Sequence, residues 1–401
     1  MIDDSNQESR YIVTTHILQG NVILPERVLE RGKVVIEDGI IQAVASRDST
    51  YRPTKDLGQH YIAPGFIDVH THGIGGADTM DADGASLSTM ALRYAAHGVT
   101  GFLPTTITQD LNLIHAAIRS ARAHVECPDA DRPVGARVLG IHLEGPWISA
   151  TYKGAQNPKY ILDPSPDVVS DILAGGGGHV KVVTLAPEVR GAEQAVAIVR
   201  QYGAQVSIGH SGATYDQTLL AIAWGATRVT HCFNGMTGLH HRQPGVVGAA
   251  LRQSELMVEL IADGVHVHPT VMQFLLQCAG RERVMLITDS ISATELADDT
   301  YDLGGQEVHV RDGQARLADG TLAGSTLTMD RAIWNLIHLC DVPLHDAVYM
   351  ASAVPAASLG LGDRKGQIRV GYDADLLIMD ADVRPERTLI GGTACPVERN
   401  R

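Results

Sequence analysis

Six residues of this chain carry metal-binding side chains, and each closes a short apolar run. His70 and His72 stand in Ile67-Asp68-Val69-His70-Thr71-His72-Gly73, where the run Tyr61 to Val69 ends. Successive residues of a strand point to opposite faces, so the two imidazoles share one face and can grip a single ion. A His-x-His pair alone is a weak signal, because a lone strand histidine is more often a core or surface residue. The pattern recurs, however. Glu144 follows in Ile141-His142-Leu143-Glu144-Gly145-Pro146, His210 in Ile208-Gly209-His210-Ser211, His231 in Val229-Thr230-His231-Cys232-Phe233, and Asp289 in Leu286-Ile287-Thr288-Asp289-Ser290. Buried ionisable groups need partners, and a metal supplies one to all six together. Glu144, His210 and His231 make a one-ion set with an open position for water. His70, His72 and Asp289 can hold a second ion, with Glu144 bridging. The cofactor is thus one or two divalent ions: imidazole and carboxylate ligands suit zinc, the foremost candidate, and also Fe2+, Mn2+ or Co2+. Such a site acidifies water and polarises a carbonyl. Asp289 is placed to take the proton and return it to a leaving amine. Of the nearby groups, His142 is either a partner of a ligand or a packed core residue, Glu188 is structural, and Cys232 is core. Gly-x-Ser-x-Gly is absent, so a serine nucleophile is not indicated.

The elements that must position these groups alternate. Strand-like runs read Ala63–His70, Val99–Thr105, Arg137–Leu143, Val180–Ala186, Gln205–Gly209, Arg228–Cys232, Leu256–Ala262 and Val284–Thr288. Helical patterns lie between or after them at Ala85–Ala96, Leu111–Val125, Ala192–Tyr202, Tyr215–Trp224, Thr270–Ala279 and Met329–Cys340. Alternating strands and helices imply a parallel sheet, and eight such units imply a closed α/β barrel of the (β/α)8 type, with its chemistry at the C-terminal strand ends. An open doubly wound sheet would want a Gly-rich phosphate turn after its first strand, and none is present. Tyr11–Ala45 and Gly366–Met379 show short β-like runs that cannot bury a face alone. They predict a small β-sandwich built from both termini, residues 1–62 with 365–401, around a barrel of residues 63–364. Tyr301–Leu322, with turns at Asp312-Gly313 and Asp319-Gly320, predicts a β-hairpin insertion. Gly175–Gly178 reads as a flexible loop.

Composition bounds the partners. The chain has 401 residues, 44% of them apolar, which is enough for a large core. Its formal net charge of −14 and lack of long basic runs argue against nucleic acid and anionic membranes. An anionic substrate would need a local basic pocket. The five cysteines are scattered with no C-x-x-C pair, as in reduced, cytoplasmic proteins. Residues 1–10 are polar and acidic, unlike a signal peptide, and no uninterrupted apolar window is long enough to span a membrane.

At the level of motifs the chain resembles the N-acetylglucosamine-6-phosphate deacetylases of the amidohydrolase superfamily. The resemblance runs over almost the whole sequence, through Pro64-Gly65-Phe66-Ile67-Asp68, His142-Leu143-Glu144-Gly145-Pro146, Lys153-Gly154-Ala155, Gly209-His210-Ser211, Thr230-His231 and Phe233-Asn234. It continues through His240-His241-Arg242, Ala262-Asp263-Gly264-Val265-His266, Thr288-Asp289, the run Leu322 to Asp330 and Gly371-Tyr372-Asp373-Ala374-Asp375-Leu376. The resemblance implies Glu144, His210 and His231 as principal metal ligands and Asp289 as acid/base. His70 and His72 match those relatives that can hold a second ion. It implies Asn234, the Gly235 backbone and Leu327 as substrate contacts. It also implies a homodimer in which Arg242 and His266 reach the neighbouring active site to bind the sugar phosphate, a task suited to a guanidinium fork.

One position departs from the pattern. Gln156, in Lys153-Gly154-Ala155-Gln156-Asn157, stands where relatives usually carry a His that donates to the substrate carbonyl. Glutamine is neutral but keeps an NH2 donor, so both efficiency and substrate are left open. Gly235 replaces the usual Ala, a smaller change. The first expectation is hydrolysis of N-acetylglucosamine 6-phosphate to glucosamine 6-phosphate and acetate. The alternative is another N-acyl amino sugar phosphate, such as the galactosamine epimer. Cyclic-amide hydrolases fit less well, because their bridging lysine is missing from Thr184-Leu185-Ala186-Pro187-Glu188. A non-catalytic relative would show eroded ligands, and all six are intact.

Overall fold

The computed structural model describes residues 15–128 and 134–396. The expectation for residues 1–10, and the first four residues of the run expected from Tyr11, lie outside them. Eight parallel strands pair in sequence order: Phe66–Thr71, Val99–Thr106, Ile141–Glu144, Val180–Leu185, Gln205–Ile208, Ala226–Val229, Met257–Ile261 and Val284–Ile287. They are called barrel strands one to eight below. The eighth returns to the first through loop bonds just past the ladders. The Asp289 N–H donates to His70 O at 3.0 Å, the His72 N–H donates to Ser290 O at 2.8 Å, and the Thr288 hydroxyl donates to Asp68 at 2.6 Å. The seam between strands one and eight is therefore fastened next to three of the six candidate ligands. Strand interiors are almost entirely buried, as in Phe66–Thr71 and Val99–Thr106, which is what a sheet covered on both faces requires.

Three boundaries differ from the sequence reading, one of them because the run Arg137–Leu143 is two segments, Arg137–Val138 and Ile141–Glu144, parted at Leu139-Gly140. The apolar run expected as one strand breaks at Gly65. Lys55–Pro64 belongs to the terminal sheet, and barrel strand one begins at Phe66. A Cβ on Gly65 would sit 2.2 Å from the Thr100 side chain, so only glycine lets the chain cross so close to strand two. Barrel strand six is Ala226–Val229, not Arg228–Cys232, because the backbone turns left-handed at His231, with φ of 29°. Four helices were not evident in the sequence: Pro166–Gly175, Gly245–Arg252, Leu344–Ala351 and Ala353–Ser358. The first begins on proline and ends on glycine, the second begins on glycine, and the last two are short.

The termini meet as expected. Thr393–Ala394, Pro385–Ile390, Leu376–Met379, Lys55–Pro64, Thr15–Leu24, Arg27–Glu37 and Ile40–Ala45 lie in this order in one continuous seven-stranded sheet. Its own apolar cluster contains Leu18, Val22, Val34, Ile36, Ile62, Leu376 and Ile378. The insertion after barrel strand eight gains a third strand. Thr300–Leu303, Gln306–Arg311 and Gln314–Arg316 form an antiparallel sheet that packs through Leu303, Val308 and Val310 onto Ile107 and Ile291. That contact brings the insertion over the mouth of the barrel. Among the described residues no helix is long and apolar enough to cross a membrane.

Candidate metal centre

The six candidate residues converge. His70, His72, Glu144, His210, His231 and Asp289 are all buried, each at most 7% exposed. Two groups form: Glu144 with His210 and His231, and His70 with His72 and Asp289. Glu144 Oε1 lies 3.2 Å from Nε2 of both His210 and His231, and those two nitrogens are 3.1 Å apart. Glu144 also faces the second group, with Oε1 3.4 Å from His70 Nε2 and Oε2 3.3 Å from His72 Nε2. Asp289 Oδ1 completes it, 3.3 Å from His70 and 3.2 Å from His72. Glu144 thus stands between the two groups, as a bridging carboxylate must.

The imidazole orientations are fixed from behind. His72 Nδ1 faces Thr105 O at 3.1 Å, His210 Nδ1 faces Tyr152 O at 3.0 Å, and His231 Nδ1 faces Asn234 O at 3.1 Å. His70 Nδ1 faces the Glu259 carboxylate at 3.0 Å. A carbonyl or carboxylate oxygen only accepts, so each Nδ1 carries the proton and donates it, and all four Nε2 atoms point inward as ligand atoms. Lone pairs facing two carboxylates demand positive charge. His70 Nε2 is buried with no hydrogen-bond partner, although both carboxylates lie close to it. Ligand spacings of 3.1–3.4 Å also fit the edges of a tetrahedron with bonds of about 2.0–2.1 Å. The residues present therefore fit divalent ions in donor type, spacing and orientation.

Without an ion, protons must take that place. Burial opposes charge on His72, but Asp289 and Glu144 outweigh it and raise the imidazole to about 10. Burial likewise pushes Asp289 up, and its His70 and His72 neighbours bring it down to about 2. Glu144 is held well below the usual carboxylate range by the surrounding histidines, against its burial. Ion binding at this cluster must therefore displace protons.

Backbone strain accompanies the site. His210, His231 and Asp289 have φ of 47°, 29° and 49°, left-handed values that cost non-glycine residues about 1–3 kcal/mol each. Each lies two residues beyond its barrel strand, and the turn swings its side chain inward over the barrel mouth.

Around the cluster lies a cavity of about 220 Å3, lined by His72, Glu144, Gln156, His210, His231, Asn234, Gly235, His266 and Asp289, with Ile107, Leu303, Thr321, Leu322 and Gly324 among its walls. Five of the six metal-ligand candidates thus face the cavity, and His70 lies behind them. Of the expected substrate contacts, Gln156, Asn234, Gly235 and His266 are here. Arg242 and Leu327 are not. Arg242 is exposed, bonded to His241 at 2.8 Å, and lines a separate groove with Tyr152 and Tyr215. Leu327 is in the barrel core at the start of helix Met329–Cys340, its N–H bonded to Ser325 Oγ at 3.0 Å. His266 faces the cavity of its own chain, where its Nδ1 is 2.6 Å from Asp263.

The supporting residues behave as their places require. His142 donates Nδ1–H to Val69 O at 3.2 Å and accepts from the Thr184 hydroxyl at 2.7 Å. Burial, with His70 beside it, pushes it down to about 3, so it is a neutral ring packed edge-on against His70. Glu188 accepts from the Ser211 hydroxyl at 2.7 Å and the Gly212 N–H at 2.5 Å, holding the loop after His210. Cys232 is wholly buried, and burial raises its thiol to about 12. Among the described residues Cys232, Cys278, Cys340 and Cys395 are free thiols.

The model of the amidohydrolase family matches residues 61–398. The chain belongs to the amidohydrolase family. This amidohydrolase is 38% identical to the N-acetylgalactosamine-6-phosphate deacetylase of Escherichia coli O157:H7, over 94% of this chain and 98% of that protein. It is also 38% identical to the N-acetylglucosamine-6-phosphate deacetylase of Vibrio furnissii, with 94% of each chain covered. Among solved structures, a variant of the N-acetyl-D-glucosamine-6-phosphate deacetylase of Mycobacterium smegmatis in complex with N-acetyl-D-glucosamine-6-phosphate superposes with a TM-score of 0.90, at 33% identity, covering 95% of this chain and 99% of that one. The amidohydrolase is accordingly a hydrolase of carbon–nitrogen amide bonds, and its family implies a divalent metal, for which the buried His/Glu/Asp groups are suited.

Sequence reading missed Glu259, Arg228 and Thr108. The first two carried a usable signal: opposite charges inside the short strands Ala226–Val229 and Met257–Ile261, which are neighbours in the barrel. Thr108 acts through its backbone N–H, which donates to Gln156 Oε1 at 2.7 Å, and left no trace in the sequence.

Proposed function

We propose that this amidohydrolase removes the acetyl group of N-acetylglucosamine 6-phosphate, releasing acetate and glucosamine 6-phosphate. The observation that carries the reading is the convergence of four inward-facing Nε2 atoms and two carboxylates at the base of the 220 Å3 cavity. The names of the relatives supply the substrate class.

Glu144, His210 and His231 would hold one ion, and His70, His72 and Asp289 a second, with zinc the best match to these ligands. A bound divalent ion supplies acidification of a water and polarisation of the acyl oxygen. The chain's own residues do the rest. Asp289 is ionised at neutral pH, so it begins as the proton acceptor and then returns the proton to the departing amine. Gln156 lines the cavity with its NH2 group donated to Glu144, which supports a role beside the substrate's acyl group. Asn234, Gly235 and His266 line the cavity and suit the sugar phosphate. Gly235 has φ of 58°, and a Cβ there would come 3.0 Å from His210 Nδ1, so glycine gives the His210 ring room. Arg242 points away from its own cavity, and that outward position supports a homodimer in which it completes the phosphate site of the neighbouring subunit. The free thiols of Cys232, Cys278, Cys340 and Cys395 support a cytoplasmic location.

The galactosamine epimer remains a second reading, because identity to the Escherichia coli galactosamine enzyme equals that to the Vibrio furnissii glucosamine enzyme. A panel of N-acetylated hexosamine 6-phosphates, assayed for released amine with zinc-loaded protein, tests both. The glucosamine compound should give the highest kcat/KM. A preference for the galactosamine compound would replace the first reading with the second, and no amine from either would overturn both.

A further inference from the structure

Three of the four inward-facing histidines are held from behind by backbone carbonyls, and His70 alone is held by a charged side chain. Glu259, from the middle of barrel strand seven, places Oε2 3.0 Å from His70 Nδ1. The same oxygen accepts the His231 backbone N–H at 3.3 Å. The other oxygen, Oε1, is 3.0 Å from Nη2 of Arg228 on barrel strand six. Glu259 and Arg228 are both wholly buried, at 0% exposure. Arg228 is otherwise poorly satisfied: its Nε has no partner, and Nη1 reaches Gln205 and Ser358 only at 3.5 Å. An apolar pair of similar volume would serve the barrel core as well or better, since burying two charges commonly costs more than their attraction returns. The pair therefore calls for a role beyond packing, and the atom it reaches supplies one.

We propose that Glu259, neutralised by Arg228, is a positioning residue that sets how tightly the His70–His72–Asp289 group holds a second divalent ion. It rests on the metal-dependent reading above. A carboxylate behind an imidazole fixes the Nδ1–H tautomer, aligns the ring and makes the opposite nitrogen more electron-rich. A carbonyl does so more weakly, so the ligand that needs most help is given the stronger acceptor. His70 is that ligand: it lies behind the cavity wall, wholly buried, and its Nε2 has no hydrogen-bond partner. Arg228 keeps the added negative charge from accumulating in the barrel. Through the His231 N–H, Glu259 also touches the backbone of the first group, so strands one, six and seven are tied at one carboxylate.

The test is ion binding, read by elemental analysis after equilibration in zinc buffers. Because either single change strands a buried charge, the variants are doubles: Glu259→Gln/Arg228→Met keeps an acceptor oxygen, and Glu259→Leu/Arg228→Met removes it. Wild-type protein should bind two equivalents. The leucine double should hold the first ion with near wild-type affinity and the second 10- to 100-fold more weakly, with the glutamine double between them. Unchanged affinity for the second ion in the leucine double would overturn the proposal, as would wild-type protein that takes up only one ion at any zinc concentration. If the doubles fail to fold, nitrogen NMR of histidine-labelled, zinc-loaded wild-type protein decides: a protonated His70 Nδ1 supports the assignment, and an unprotonated one overturns it. Loss of the first ion as well, in wild-type protein, would instead sink the metal-dependent reading itself.

Discussion

Gln156 donates Nε2–H to Glu144 Oε2 at 2.8 Å, while its carbonyl oxygen accepts the Thr108 N–H at 2.7 Å. A backbone N–H can only donate, so the Thr108 bond fixes which end of the amide faces Glu144. The glutamine that replaces the usual histidine is thus a clamp on the carboxylate standing between the two ligand groups. Gln156→Leu removes both bonds and leaves the Thr108 N–H buried without a partner, a loss of about 1–3 kcal/mol in stability. Turnover should fall about 10- to 100-fold. Denaturant unfolding and steady-state kinetics check the two effects, and turnover equal to wild type would deny Gln156 this role.

Asp289→Asn preserves shape but cannot carry the proton. Its kcat should fall by about two orders of magnitude or more while KM changes little. Unchanged kcat in the zinc-loaded variant would make Asp289 structural only.

Glu144→Gln, His210→Ala and His231→Ala each remove a ligand of the group nearest the cavity. Each variant should lose tightly bound metal and nearly all turnover, while circular dichroism still reports a folded barrel. In the wild type, chelator dialysis should abolish turnover and lower Tm, with zinc restoring both, because an ion that binds only the folded state stabilises it. Near-normal metal content in any of the three variants would displace that residue from the ligand set.

His97 follows helix Gly84–Ala96 and lies 2.8 Å from Glu295 and 3.0 Å from Asp330. Burial lowers its affinity for a proton, but the two carboxylates prevail and raise it to about 9. The folded value lies above the unfolded one, so this stabilisation is fully present below about pH 6.5 and fades as pH rises through about 9. At most it is worth about 3 kcal/mol. His97→Gln should therefore destabilise the protein clearly at pH 6 and little at pH 10, as measured by urea unfolding at both. Equal losses at the two pH values would contradict the ion pairs.

Arg242→Ala should raise KM for the phosphorylated sugar far more than for the unphosphorylated one. Mixing it with Asp289→Asn should restore part of the activity if subunits exchange, since one mixed site then has both residues. A monomer by sedimentation at assay concentration would rule out the shared site.

Residue type and spacing alone brought out the six metal-ligand candidates, the barrel and the pairing of both termini. The cause is periodicity: ligands close five of the eight apolar runs of the repeating βα unit, and the barrel sends every such end to one mouth. Three-dimensional proximity decided the rest. Gly65 divides an unbroken apolar run because Thr100, remote in sequence, leaves no room for a Cβ. Arg242 and His266, alike in the sequence reading, part company because one lies on an exposed loop and the other faces the cavity. Glu259 supports His70 across 189 positions of chain, and Thr108 orients Gln156 with a backbone atom every residue possesses. Sequence determines which groups can bind an ion or carry a proton. Only the closed barrel decides which oxygen stands behind each imidazole, because hydrogen-bond direction depends on distances between strands that local pattern does not encode.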